Sequence, residues 1–117
     1  MLDKKNRIRL KKEFDHVFQT GQSFYSGILG VKTANNKENN VRLGFLVGLK
    51  VSKKAVDRNK IKRQLREISS QELKEIKNGT DIVVIALPSI LKTDFEIIKK
   101  SLKLAFKKLN LYKTKND

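Results

Sequence analysis

From Asp81 to Leu87 the chain reads Asp-Ile-Val-Val-Ile-Ala-Leu, a nearly unbroken apolar run with Gly79 before it and Pro88 after it. No other segment limits the fold as tightly. A strand with one wet face alternates polar and apolar side chains, so an uninterrupted run of this length describes a strand buried on both faces. Pro88 ends it, because proline has no N–H to give to the ladder. The remaining segments must therefore be arranged to cover this strand.

Two further segments read as strands. In 28–34, Leu29, Val31 and Thr33 share one face, with Gly30 and Lys32 on the other. In 41–47, Val41, Leu43, Phe45 and Val47 share a face. The asparagine-rich stretch 35–40 between them is turn material. The simplest pairing is an antiparallel hairpin, and Phe24–Tyr25 adds a short strand. Helices flank these strands. Phe14, Val17 and Phe18 recur at i, i+3, i+4 before Gly21, which predicts a first helix over about residues 11–20. Ser52 reads as the N-cap of a second helix. It carries the stripe Ile61, Leu65, Ile68 and runs to about Lys77, with a break near Ser69-Ser70. Thr93-Asp94-Phe95-Glu96 reads as a capping box, with Thr93 and Glu96 reciprocating, at the start of a third helix. Phe95, Ile98, Leu102, Ala105, Phe106 and Leu109 form its apolar face. The order helix, strands, helix, strand, helix predicts a two-layer α/β sandwich with helices against a mixed sheet. At 117 residues the expectation is one domain spanning 1–117, with a basic arm over 1–10 and a frayed polar tail over 112–117.

Charge then narrows function. The chain carries a net +15, and the seventeen residues Lys50–Arg66 hold eight basic side chains against one Asp, a local +7. Arg58, Lys62 and Arg66 are like charges at i, i+4 spacing, each pair mildly destabilising, and Lys53, Lys54 and Arg58 crowd the positive end of the helix dipole. A lysine-rich solvated face is the plainer reading, but it leaves that repulsion unanswered. With Ile61 set at the core, Lys62 falls near 100°, Arg66 near 140°, Asn59 near 160° and Arg63 near 200°, by the roughly 3.6-residue period. Four hydrogen-bond donors therefore share one outward face. Guanidinium groups fork onto phosphate, Asn59 can reach a sugar or base edge, and a polyanion would relieve the crowding. An anionic membrane is the other candidate partner. It calls for a broad apolar face with aromatics, and this helix has a narrow stripe and none.

Other chemistries are excluded or weak. Without cysteine there are no disulfides or thiolate metal sites, and a single histidine, His16, makes no His cluster. His16 reads as a solvated helix residue, with no carboxylate or nucleophile at motif spacing around it. No phosphate-loop or dinucleotide motif occurs. No apolar run nears the roughly 18 residues of a membrane span, and the N-terminus lacks the apolar core of a secretory signal. A soluble cytoplasmic protein is expected.

The run Ala55–Glu67 resembles the signature of the bacterial ribonuclease P protein component. That pattern is Arg-Asn, two residues, Lys-Arg, two residues, Arg, and here Arg58, Asn59, Lys62, Arg63 and Arg66 fill it. Phe14 and Phe18 before Gly21, Arg42-Leu43-Gly44, and Asp81–Val84 are similar to further family segments, so the likeness covers most of the chain. The resemblance implies an αβββαβα, ribosomal-protein-like fold with a mixed four-stranded sheet. It also implies a left-handed βαβ crossover, against the right-handed rule. It implies a subunit of a ribonucleoprotein endonuclease that removes the 5′ leader of precursor tRNA. The RNA subunit would cut, holding the magnesium ions, with no catalytic or metal-binding protein side chain and no obligate protein partner. Lys50, Lys54 and the five signature residues would grip the catalytic RNA. Phe14, Phe18 and Lys32 would line a cleft for the single-stranded leader. Two positions depart from the family: Leu49 stands where a lysine is frequent, with Lys53 and Lys54 close by, and Lys32 where many members carry an aromatic. A ribosomal or general RNA-binding protein is the alternative, and a DNA-compacting protein fits less well because the charge is focused.

Overall fold

A computed structural model of the chain describes residues 2–114. Its elements run α1 (Lys11–Thr20), β1 (Gln22–Tyr25), β2 (Leu29–Asn35), β3 (Val41–Leu46), α2 (Ala55–Glu72), β4 (Thr80–Ala86) and α3 (Phe95–Lys108). The strands form one mixed sheet in the order β1-β2-β4-β3, with β4 antiparallel to β2 and parallel to β3. The expected β2–β3 hairpin does not form. Val84 of β4 instead lies opposite Val31 on one side and Phe45 on the other. Burial explains the exchange. Ile82, Val83 and Val84 are all fully buried, which requires an interior strand. A hairpin would have pushed β4 to an edge, whereas β2 and β3 each have a partly polar face.

Alternation along the strands then sends side chains to two cores. Leu29, Val31, Leu43, Ile82 and Val84 pack with Ile61, Leu65 and Ile68 of α2 and Ile98, Leu102 and Phe106 of α3. Val83 points the other way and meets Val17 of α1 and Ile8, with Phe14, Ala34 and Ile85 beside them. Thus α1 lies on the face opposite α2 and α3. It turns into β1 at Gly21, where a Cβ would stand 2.4 Å from the carbonyl oxygens of Thr33 and Val17, so no side chain fits.

The helix ends differ in detail from expectation. Glu13 starts α1 by accepting the N–H groups of Arg9 (2.9 Å) and Leu10 (3.0 Å). Lys54, not Ser52, is the N-cap of α2; Ser52 Oγ accepts the Lys54 N–H and donates to Asp57 Oδ2. The helix continues through Ser69 and Ser70, because Ile68 and Ser69 are buried against the core and packing outweighs serine's modest propensity. It ends at Glu72 in a 3-10 turn, Leu73–Glu75. The capping box predicted from Thr93 and Glu96 does not form: Asp94 is the N-cap instead, its Oδ1 accepting the Ile97 N–H (3.0 Å), while Thr93 Oγ1 donates to the Ile90 carbonyl.

Both termini are tied to the body more closely than their composition suggests. Leu2, Asn6 and Ile8 are buried, Ile8 N–H donates to the Leu43 carbonyl (2.9 Å), and Asn6 Nδ2 donates to the Val41 carbonyl (2.8 Å). The basic arm is therefore fastened along the outer edge of β3. At the other end the predicted fraying does not begin at Tyr112, which bridges to Ile76 and donates its hydroxyl to Glu72 Oε1 (2.7 Å). Burial, then the Glu72 carboxylate, pushes this phenol above its ordinary pKa, so the clasp stays protonated. Residues 115–117 of the predicted tail lie outside the described residues. Among the described residues no helix is long and apolar enough to cross a membrane.

Candidate nucleic-acid interface

The apolar stripe fixes how α2 sits. With Ile61, Leu65 and Ile68 buried, the helix must turn Asn59 and Arg63 fully outward, and both are exposed. Lys62 and Arg66 flank that face, half-buried at its edge toward β3. Among the described residues no hydrogen bond or ion pair engages the side chains of Asn59, Lys62, Arg63 or Arg66. Arg58 differs. It folds back so that Nη1 donates to the Ser52 carbonyl (2.9 Å), which uses one of its five donors to close the loop before the helix. Lys50 lies outside the helix, exposed in the turn after Gly48, and Lys53 and Lys54 are exposed just before the first helical turn. Leu49 is 69% exposed in that same turn, an apolar side chain presented to solvent beside the cationic face. Lys54 contributes no side-chain cap, so the first N–H groups of α2 remain open next to the ammonium groups.

A second site lies on the opposite face of the sheet. There α1 covers Val83, but not the whole surface. Phe14 is half-buried and its ring rests on Gly44, where a Cβ would come within 2.7 Å of it. Phe14 is thus a wall, not an open platform. Phe18, one turn on, is 40% exposed. Lys32 lies between two rings, its ammonium 5.8 Å from the centroid of Phe18 and 5.8 Å from that of Tyr25. Both contacts are within cation–π range. Tyr25 belongs to β1, pairs with Gly30 of β2, and covers it so closely that a Cβ there would meet the ring at 2.2 Å. Tyr25 is 48% exposed. The structure therefore assembles an aromatic–cation–aromatic surface from three elements, Phe18, Lys32 and Tyr25. Where the resemblance led to an aromatic at position 32, the neighbouring strand places Tyr25 beside Lys32.

A buried ionic network holds α1 to the sheet. Arg42 donates through Nε and Nη2 to the two oxygens of the fully buried Asp81, both at 2.7 Å, and through Nη1 to Glu13 Oε2. Asn36 Nδ2 gives Asp81 Oδ1 a further bond at 2.7 Å. The hydrogen bond to Asp81 raises the Arg42 pKa despite burial. Burial works to raise the Glu13 carboxyl, but the Leu10 and Arg9 N–H groups and Arg42 outweigh it and hold the group below its ordinary value. Asp81, the first residue of the apolar run, is the anchor of this network.

Sequence reasoning thus placed Asn59 and Arg63 on the outward side of α2, where both are exposed, and named Phe18 and Lys32, which the structure brings together. It passed over Tyr25, Arg42 and Asp81. Tyr25 had a readable signal, an aromatic on a short strand opposite a glycine. Arg42 and Asp81 stand 39 positions apart, and without knowing that β3 and β4 are neighbours nothing joins them.

Comparison with known proteins gives a consistent result. A family model described as Ribonuclease P matches residues 2–110. The ribonuclease P protein component of Syntrophomonas wolfei is 39% identical over 112 residues, covering 96% of this chain and 93% of that one. One from Clostridium botulinum is 39% identical over 110 residues, covering 93% and 98%. Among solved structures, the Staphylococcus aureus RNase P protein superimposes with a TM-score of 0.86 at 32% identity, covering 92% of this chain and 98% of that one. The Thermotoga maritima RNase P protein, solved with 1-(4-fluorophenyl)-2-thiourea, gives 0.77 at 33% identity over 84% and 94%. A cationic helix face, an α+β sheet of this topology and matches along nearly the whole chain converge: the chain belongs to the ribonuclease P protein component family.

Proposed function

We propose that this chain is the protein subunit of a tRNA-maturing ribonucleoprotein, gripping its catalytic RNA with α2 and guiding the 5′ leader of precursor tRNA across the sheet. The observation that carries this reading is the outward face of α2, where Asn59, Lys62, Arg63 and Arg66 stand without internal partners among the described residues. Lys50, Lys54 and the remaining donors of Arg58 extend that face. Such donors, left unsatisfied by the protein, are suited to bidentate contacts with phosphate oxygens. On the other face Phe18 and Tyr25 offer ring surfaces for unpaired bases, Phe14 forms the wall, and Lys32 is placed for a backbone phosphate. In this reading the RNA performs the hydrolysis in the cytoplasm and holds the magnesium ions. The protein's cations lower the phosphate repulsion those ions would otherwise have to screen.

Reconstitution tests it. Added to the cognate catalytic RNA with labelled precursor tRNA at low magnesium, the protein should restore cleavage of the leader. Unchanged cleavage removes the proposal in favour of general RNA binding. The leader arm is tested separately by the pair Phe18→Ala and Tyr25→Ala. Each should weaken binding of a long-leader precursor by about 10-fold, in keeping with roughly 1–3 kcal/mol per stacked base. A precursor with a one-nucleotide leader should bind as before. Equal losses on both substrates would place the aromatics outside the leader path.

A further inference from the structure

The outer edge of β3 separates the two faces described above, and the N-terminal arm runs along it. There a groove of about 290 Å³ lies between the arm, β3 and α2. Phe14, Gly44 and Phe45 line its apolar part, and Arg7, Lys62 and Arg66 its cationic part. Two of these cations belong to the signature helix, and Phe14 belongs to the wall of the aromatic surface. Arg7 comes from neither. It is exposed between the buried anchors Asn6 and Ile8, and its backbone bridges to Leu43. Its Nε and Nη2 both donate to the Leu2 carbonyl, at 3.1 and 2.7 Å. That clip fixes the guanidinium beside the groove and leaves Nη1 without a partner among the described residues. Three cations from two separate elements thus converge on a cavity near the lower end, about 300 Å³, of those that hold small ligands. The mouth is too small for a duplex and has an apolar side.

From this convergence we infer that the groove takes one nucleotide of an RNA strand, with Arg7, Lys62 and Arg66 sharing its phosphate and Phe14 and Phe45 facing its sugar and base. The inference rests on the RNA-binding reading of α2 and extends it. Arg7 is the residue that makes the two faces one continuous track, carrying the strand round the β3 edge. The other arm cations are not equivalent. Lys4, Lys5 and Arg9 border only a neighbouring concavity, with Glu38 and Asn40, which Arg7 also touches; that one lacks the aromatic wall, and Arg7 alone of the four also lines the groove beside Lys62 and Arg66.

The test is binding of a labelled ten-nucleotide single-stranded RNA to the full chain at two salt concentrations. Arg7→Gln removes the charge while keeping an N–H donor for the Leu2 carbonyl, so the arm should stay fastened and the melting temperature unchanged. Arg9→Ala removes one charge from the same arm outside the groove. Arg7→Gln should weaken binding by about 5- to 10-fold and make the salt slope shallower by less than about 0.7, the value for one whole phosphate on a single strand, because Lys62 and Arg66 still face that phosphate. Arg9→Ala should change affinity less than about twofold, since Arg9 is exposed and lies outside the groove, where water and salt leave a single charge little effect. Because Arg7 and Arg66 serve one phosphate, Arg7→Gln should cost little more once Arg66→Ala is present, a non-additivity expected of a shared partner. Equal effects of the Arg7 and Arg9 substitutions, or full additivity with Arg66, would overturn the assignment while leaving the α2 reading standing. Failure of the unsubstituted chain to bind any RNA would overturn both.

Discussion

Replacing Lys62, Arg63 and Arg66 together with alanine should weaken binding of the catalytic RNA by about 100-fold or more at moderate salt. A charge-assisted hydrogen bond contributes roughly 1.5–3 kcal/mol. Exposure and counterions reduce that for side chains such as these, to about 1 kcal/mol each. Three such contacts correspond to about two decades in the dissociation constant. The salt dependence should fall with them, the slope becoming shallower by about two. Stability should not fall in parallel. The three side chains have no internal partners among the described residues, and the i, i+4 repulsion between Lys62 and Arg66 disappears. Electrophoretic or fluorescence titration beside a thermal melt separates the outcomes. A melting temperature lowered by 10 °C or so would assign these residues to the structure of the protein.

The opposite profile is expected at Arg42. Arg42→Leu strands the Asp81 carboxylate, which is fully buried, with Asn36 as its remaining side-chain donor. Breaking a buried pair from one side typically costs about 3–5 kcal/mol, because the surviving charge keeps its desolvation penalty. For a chain of this size that lowers the melting temperature by about 10 °C or more. The same substitution releases Glu13 and loosens the hold of α1 on the sheet, so the Phe14 wall shifts as well. A melt of the variant checks the first effect, and a melting temperature within a degree or two of the parent would contradict it. Acid adds a signature. The folded-state pKa of Glu13 lies below its ordinary value, so its contribution is complete above about pH 4.5 and is lost as pH falls through the lower, folded-state value. Glu13→Gln should therefore flatten the acid limb of the stability curve. An acid limb as steep as that of the unsubstituted chain would show that other carboxylates govern it.

These two sites illustrate what the residue order alone discloses. Arg63 and Asn59 were legible because helical period and the Ile61–Leu65–Ile68 stripe determine which way a side chain faces, without reference to the rest of the chain. The double burial of β4 was legible in the same way, from Ile82, Val83 and Val84 in succession. Strand neighbours were not. Alternation assigns faces but not partners, so Val41–Val47 reads as the hairpin partner of the preceding strand. Everything depending on that adjacency stayed hidden: the Arg42–Asp81 pair and the groove at Arg7. Caps moved by one or two residues, at Lys54 and Asp94, because several neighbouring side chains could have served.

The late position of β4 in the chain also shapes how the molecule comes into being. Until residue 80 is available, β2 and β3 have open edges next to each other, and the sequence between them is well suited to a turn. The native sheet requires that space to be kept or reopened for a strand delivered from beyond α2. Pulse-labelled hydrogen exchange during refolding should find amides of β2 and β3 gaining protection together with those of β4; earlier protection of β2 and β3 would reveal a mispaired hairpin on the way. A strand arriving last and in the middle makes the cationic helix part of the closure itself, so a chain that has not completed its sheet has no ordered cationic face to offer.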